Sequence, residues 1–193
     1  MSCDNTCHGG APYSCLIVDP PWKPGDSLPG KKRGAAKNYA CLTTAEIMRF
    51  PLPKLSDDAI LFLWRLSSMP QDALDVVRAW GFIPKSEMVW EKLTKTGKPW
   101  FGMGRFVRAS HETCIVATRG RFKVASKSVR SRFSARVPVG KDGKYLHSAK
   151  PEEFFALVEQ LVGDGQKIEM FARKRRPGWC ARGNELPASE CKK

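Results

Sequence analysis

The stretch Cys15-Leu-Ile-Val-Asp19-Pro20-Pro21-Trp22 constrains this chain more than any other. Leu16, Ile17 and Val18 form a short apolar, largely β-branched run, which reads as a buried strand. The run stops at an acid followed by two prolines. Proline has a fixed φ and no N–H, so the backbone must leave a sheet there. Proline also disfavours the helical region for the residue before it, which keeps Asp19 and Pro20 extended. The expected product is a stiff arm at the carboxyl end of a strand, where open α/β sheets bind their ligands. The arm carries a carboxylate, the Pro20 carbonyl and the flat indole of Trp22. Two neighbouring acceptors suit the two hydrogens of an amine on a planar ring, and an indole face suits stacking on that ring. Adenine and cytosine both present such an amine.

The rest of the chain alternates strand-like and helix-like segments, which indicates an α/β fold with a largely parallel sheet. Thr43-x-x-Glu46 is a capping box opening a short helix to about Phe50, and Ala59 to Arg65 reads as an apolar strand. Ser68-x-x-Gln71, with Pro70 in the first turn, predicts a second helix to Trp80 capped by Gly81. Leu74, Val77 and Trp80 recur at helical spacing and belong to the core. Strands are expected over 86–92 and 112–118, a helix over 151–162 with Gly163 after it, and a last strand over 167–172. Gly102-Met-Gly104 lacks a third glycine and does not join a strand to a helix, so it is no dinucleotide fingerprint. The chain of 193 residues reads as a flexible arm (1–12), one domain (13–188) and a frayed tail (189–193).

Charge points to the partner. Thirty-three Lys and Arg against nineteen Asp and Glu give a net charge of +14, which suits a polyanion such as nucleic acid. Two segments concentrate it. Residues 23–42 form a long Gly/Pro-rich loop carrying Lys31, Lys32, Arg33 and Lys37. Arg119, Arg121, Lys123, Lys127, Arg130, Arg132 and Arg136 follow in a segment without acids, interleaved with Phe122 and Phe133, a pattern that suits phosphate contacts and base stacking. None of the seven cysteines has Cys-x-x-Cys spacing, so free thiols in a reducing cytosol and no metal are expected, with Cys15 and Cys114 buried in strands. No 18-residue apolar run and no signal-peptide pattern occur, so neither membrane insertion nor secretion is expected.

Asp19-Pro20-Pro21-Trp22 resembles the signature of the adenine-amine methyltransferases of the MTA type. That family contains the catalytic subunit of the messenger-RNA adenosine methyltransferase and bacterial and phage relatives. The resemblance extends from about Ser14 to Leu186 through Asn38-Tyr39, Ile60-Leu-Phe-Leu-Trp64, Met88-Val-Trp90, His111-Glu112, Thr118-Arg-Gly120, Lys150-Pro-Glu-Glu-Phe154, Ile168-Glu-Met-Phe-Ala-Arg173, Pro177-Gly-Trp179 and Gly183-Asn-Glu-Leu186.

The resemblance implies a single Rossmann-like methyltransferase domain, circularly permuted, with the catalytic strand first and the cofactor strand last. It implies methyl transfer from S-adenosylmethionine to the N6 amine of adenine in nucleic acid, DNA favoured. The alternatives are RNA adenosine and a catalytically weak, nucleic-acid-binding partner subunit. A cytosine-amine enzyme is disfavoured because its signature usually begins with serine. Asp19, Pro20, Pro21 and Trp22 would form the catalytic arm, with the adenine single-stranded or flipped out. Lys150 would meet the methionine carboxylate of the cofactor, Arg173, Asn184 and Glu185 the ribose and nearby groups, and Phe171 the sulfur side. Tyr39 would stand near the reacting centre, and Asp19 would also border the cofactor. Arg175 stands where the messenger-RNA enzyme has histidine, and Glu185 where it has glutamine. The acidic segment preceding the signature in that enzyme has no counterpart here, which leaves the adenine of the cofactor without assigned partners. A homo- or heterodimeric partner for target recognition and a cytoplasmic location, in a bacterium or a phage-infected cell, are also expected.

Overall fold

The computed structural model describes residues 10–24, 41–104, 106–146 and 148–186. They group into two compact units. The first comprises residues up to 85, 115–122 and those from 165 onward, and the second 86–114 and 123–164.

The first unit holds β1 (Tyr13–Val18), α1 (Thr44–Met48), β2 (Leu55–Arg65) and α2 (Pro70–Ala79). β3 (Ile83–Leu93) begins at its end and belongs mainly to the second unit. β4 (His111–Arg119) contributes to both units, β5 (Arg132–Arg136) and α3 (Glu152–Val162) to the second, and β6 (Lys167–Met170) and β7 (Cys180–Arg182) to the first. In the first unit the strand order is β4-β2-β1-β6-β7, and β1 runs parallel to β2 and β6. In the second, β5 is parallel to β3, which neighbours β4. Parallel pairing with helical connections makes this a Rossmann-like α/β fold. The first strand in sequence, β1, lies beside β6, one of the last, so the chain leaves β1 toward β2 and later returns to its other side.

The core explains the position of β1. Cys15 to Val18 are buried, as expected for a parallel strand covered on both faces. Leu16 and Val18 pack with Leu61 and Leu63 of β2, Val76 and Val77 of α2, and Ile168 and Met170 of β6. Each such side chain contributes roughly 1.5–3 kcal/mol when fully buried. Burial also drives the Cys15 thiol far above its ordinary range, with Lys167 only partly offsetting this, so it behaves as a small apolar group.

Helix ends follow local chemistry. Thr43 caps α1 with both halves of the box: Glu46 N donates to Thr43 Oγ1 at 3.3 Å, and Thr43 N to Glu46 Oε2 at 2.7 Å. The expected box at Ser68 does not form. Met69 precedes Pro70, which disfavours helical geometry at Met69, so Met69 becomes the N-cap and Pro70 the first helical residue. Gln71 instead donates to Asp75 at 2.7 Å. At the other end Gly81, at φ 77°, donates to Arg78 O, and Phe82 donates to Val77 O, closing a Schellman motif. Trp80 Nε1 donates to Met48 O at 3.1 Å and ties α2 to α1.

Two strands were not anticipated. β5 lies inside the basic segment, where Phe133 and Ala135 point inward between Arg132, Ser134 and Arg136. β7 has only three residues, too few for a periodic signal. No helix among the described residues is long and apolar enough to cross a membrane.

Candidate active site

Asp19 follows the last residue of β1. Val18 pairs with Leu63 of β2 on one side and Met170 of β6 on the other. Trp64, Asp19 and Phe171 therefore share one carboxyl edge of the sheet. The pairing of Met170 with Arg182 adds Gly183 to that edge.

The arm is locked by its own backbone. Trp22 N donates to Pro20 O at 2.8 Å, a tight turn around Pro21. Leu42 N donates to Pro21 O at 2.8 Å and Lys23 N to Leu42 O at 2.9 Å, pairing Trp22 with Leu42 in a short bridge. Trp22 Nε1 donates to Trp64 O at 2.9 Å. Two expectations are corrected here. Trp22 is only 3% exposed and its ring lies in the core cluster, so it pins the arm to β2 and has no open face for a base. The Pro20 carbonyl already accepts one hydrogen bond; a carbonyl has two lone pairs, and the second is what a ligand amine would use. Asp19 is half-buried.

The neighbouring edge, after β6, is strained and tightly packed. Phe171 has φ 58°, a left-handed conformation that costs a bulky residue about 1–3 kcal/mol and clusters at ligand sites. Its ring lies 4.6 Å from that of Phe50. Gly183 sits so close to Ala172 that a Cβ there would be 2.1 Å from Ala172 O, while Ala172 N donates to Arg182 O at 3.1 Å. This close approach needs glycine and sets Asn184 and Glu185 beside the β6 end. Arg173 Nε stands 3.7 Å from Glu185 Oε2, both partly open to solvent. Arg175 is half-buried. Arg176 pairs with Glu169 of β6 at 3.5 Å, with its side chain only 9% exposed. An exposed amide, an exposed carboxylate and a guanidinium beside a strained strand end are a donor and acceptor set that fits ribose hydroxyls.

The MT-A70 family profile matches residues 13–185, which includes every residue of this edge. The chain belongs to the MT-A70 family. It is similar to the N(6)-adenosine-methyltransferase catalytic subunit METTL3 of Homo sapiens, 26% identical over 182 residues, covering 90% of this chain and 28% of that protein. It is also similar to the N(6)-adenine-specific methyltransferase METTL4 of Mus musculus, 27% identical over 188 residues, covering 92% of this chain and 38% of that protein. The chain therefore spans between about a quarter and two fifths of the length of these relatives.

In this MT-A70 chain Lys150 belongs to the second unit. Its ammonium lies 3.3 Å from Glu112 Oε2 and donates to Ser148 O at 3.3 Å, with the side chain only 9% exposed. Ser148, like Phe171, is a non-glycine residue at positive φ. Lys92 Nζ approaches the other Glu112 oxygen at 2.5 Å. Burial opposes the Glu112 charge, but Lys150 and Lys92 outweigh it and hold the carboxyl below its ordinary value. Two ammonium groups on one carboxylate leave one net positive charge, which suits a ligand carboxylate. The pairing of Glu112 with Lys92 and Lys150 was not expected from the sequence, because nothing local links the three residues.

A lowered carboxyl value makes a pH prediction. The stability contributed by Glu112 is present above the ordinary carboxylate pKa, about 4.3, and is lost as pH falls through the lowered folded value. Glu112→Gln should therefore be less stable than wild type at neutral pH and should lose less on acidification. Urea midpoints measured from about pH 6 down to about pH 3 check this; parallel curves for the two proteins would contradict it.

The basic segment is divided between the two units. Arg119 and Arg121 belong to the first unit, where Arg121 N donates to Asp58 Oδ1 at 2.6 Å. Lys123, Lys127, Arg130, Arg132 and Arg136 are exposed in the second. Arg132 is already paired with Glu91 at 2.6 Å, and Phe133 stacks on Phe154 at 6.2 Å, so that ring serves packing. Tyr39, Lys31, Lys32, Arg33 and Lys37 lie outside the described residues. Among the described residues, Cys15, Cys41, Cys114 and Cys180 form no disulfide, and no group of three or more His, Cys, Asp and Glu is placed to hold a metal ion.

Proposed function

We propose that this chain is an S-adenosylmethionine-dependent methyltransferase acting on the exocyclic N6 amine of adenine in nucleic acid, with DNA the favoured substrate. The observation that carries this is the locked Asp19-Pro20-Pro21-Trp22 arm at the carboxyl end of β1, beside the strained end of β6, in a chain of the MT-A70 family. The cofactor, when bound, supplies an electrophilic methyl group on a sulfonium sulfur. Asp19 accepts one amine hydrogen and the second lone pair of Pro20 O accepts the other. The adenine nitrogen is a weak nucleophile because its lone pair is delocalised into the ring. Holding both hydrogens favours a more tetrahedral nitrogen, so these contacts strengthen toward the transition state. Methylation would leave a surplus proton on that nitrogen. The nitrogen then sheds a proton, for which Asp19 is the acceptor on the arm. Pre-alignment of the amine is the main contribution of the chain.

Arg173, Asn184 and Glu185 would hold the ribose and nearby groups of the cofactor, Phe171 and Arg175 would border it, and Lys150 would take its carboxylate. Lys150→Met should raise the dissociation constant for S-adenosylmethionine by about ten- to a hundredfold, the loss of a charge-assisted hydrogen bond worth about 1.5–3 kcal/mol. Calorimetric titration checks this; unchanged cofactor affinity in a folded variant would remove Lys150 from the cofactor site.

RNA adenosine is the second reading, supported by relatives named as adenosine methyltransferases. The two separate in one assay. Transfer of a tritiated methyl group to a single-stranded DNA and to the RNA of the same sequence should give a higher kcat/KM on DNA, and the reverse order would establish the RNA reading. A cytoplasmic site of action and a partner subunit for target choice are part of the same proposal.

A further inference from the structure

The loop joining β3 to β4 is held at its base and exposed at its tip. Lys92 N donates to Ser110 O at 3.0 Å, Trp100 N to Lys92 O at 2.9 Å and Gly102 N to Ala109 O at 3.2 Å. The two limbs lie backbone against backbone: a Cβ on Gly102 would be 2.3 Å from Ala109 O, and one on Gly104 1.8 Å from Val107 O. Beyond these contacts the loop presents Phe101, Met103, Phe106 and Val107, exposed by 76%, 90%, 90% and 79%. Four large apolar side chains this open on one pinned loop form an exposed apolar surface of the kind that marks binding sites.

Charge selects the occupant. Between Lys92 and His111 the sequence has four Lys or Arg and no Asp or Glu. The Arg108 guanidinium lies over the Phe101 ring, 5.1 Å from its centroid, so cation and aromatic face are already paired. A second copy of a chain with net charge +14 would bring like charge against this tip. A nucleic-acid strand offers anionic phosphates next to flat apolar bases, and aromatic side chains set among cations are how proteins hold single strands.

We propose that the β3–β4 loop is a stacking platform for single-stranded nucleic acid, with Phe101 and Phe106 receiving bases and Arg108 a phosphate. This rests on the nucleic-acid reading above and deepens it by assigning strand contacts to a loop that its charge pattern alone did not single out. The test is fluorescence anisotropy with a labelled single-stranded oligonucleotide and a matching abasic strand, across a salt series. Phe101→Ala/Phe106→Ala should weaken binding of the base-containing strand by about tenfold or more, leave the abasic strand unaffected and keep the salt slope. Arg108→Ala should reduce the log–log slope by about 0.7. Wild-type affinity in the double variant would overturn the platform. So would a wild-type dimer that becomes monomeric in that variant with unchanged strand affinity, which would make the loop a self-association surface. Absence of any oligonucleotide binding by the wild-type protein would instead overturn the nucleic-acid reading itself.

Discussion

Asp19→Asn is expected to abolish methyl transfer while leaving the protein folded and able to bind cofactor. Asparagine has the shape of aspartate but replaces one acceptor oxygen with an amide that donates, which would face the amine hydrogens with a like partner. Removing one group aimed at the reacting centre typically costs about a hundred- to a thousandfold in kcat. The cost here should lie at or above that range, since the remaining acceptor, Pro20 O, already serves Trp22 N. Steady-state kinetics with an adenine-containing oligonucleotide measures it, and calorimetry confirms cofactor affinity. Turnover within a few-fold of wild type would sink the acceptor role.

Trp22→Ala is expected to destabilise the protein by about 3–5 kcal/mol, the usual cost of emptying a buried Trp site. The indole is 3% exposed within the main core of the first unit, and its Nε1 donates to Trp64 O at 2.9 Å. Its removal leaves a cavity beneath the arm and detaches the arm from β2, so activity should fall with stability. Trp22→Phe keeps most of the ring and loses the hydrogen bond, so it should cost only about 0.5–1.5 kcal/mol through that bond and retain part of the activity. Urea denaturation of both variants separates these effects. Full stability in Trp22→Ala combined with lost activity would show that the ring contacts substrate directly.

Much of this was legible in the sequence because it depends on local rules. The β1 strand and its abrupt end follow from apolar run and proline sterics, the α1 cap from Thr43 and Glu46, and the Schellman end of α2 from Gly81. What was not legible depends on distant neighbours. The sequence offers Trp22 as a flat ring beside an acid, but only the fold shows its face covered by core side chains. Glu112 is an unremarkable acid until the second unit sets Lys92 and Lys150 on its two oxygens. β5 was hidden because its Arg residues drew attention to charge, although the alternation of Phe133 and Ala135 with polar residues was a strand signal. The Ser68 cap was misplaced because the constraint of Pro70 on Met69 outweighs a cap pattern.

The role proposed for the arm at Asp19 is to direct a methyl group to the N6 amine of adenine. Incubating the protein with S-adenosylmethionine carrying a trideuterated methyl group and with DNA or RNA, digesting to nucleosides and analysing by mass spectrometry tests it directly. Wild type should yield labelled N6-methyladenine nucleoside and Asp19→Asn none. Label on the cytosine amine, or labelled N6-methyladenine of equal yield from both proteins, would contradict it.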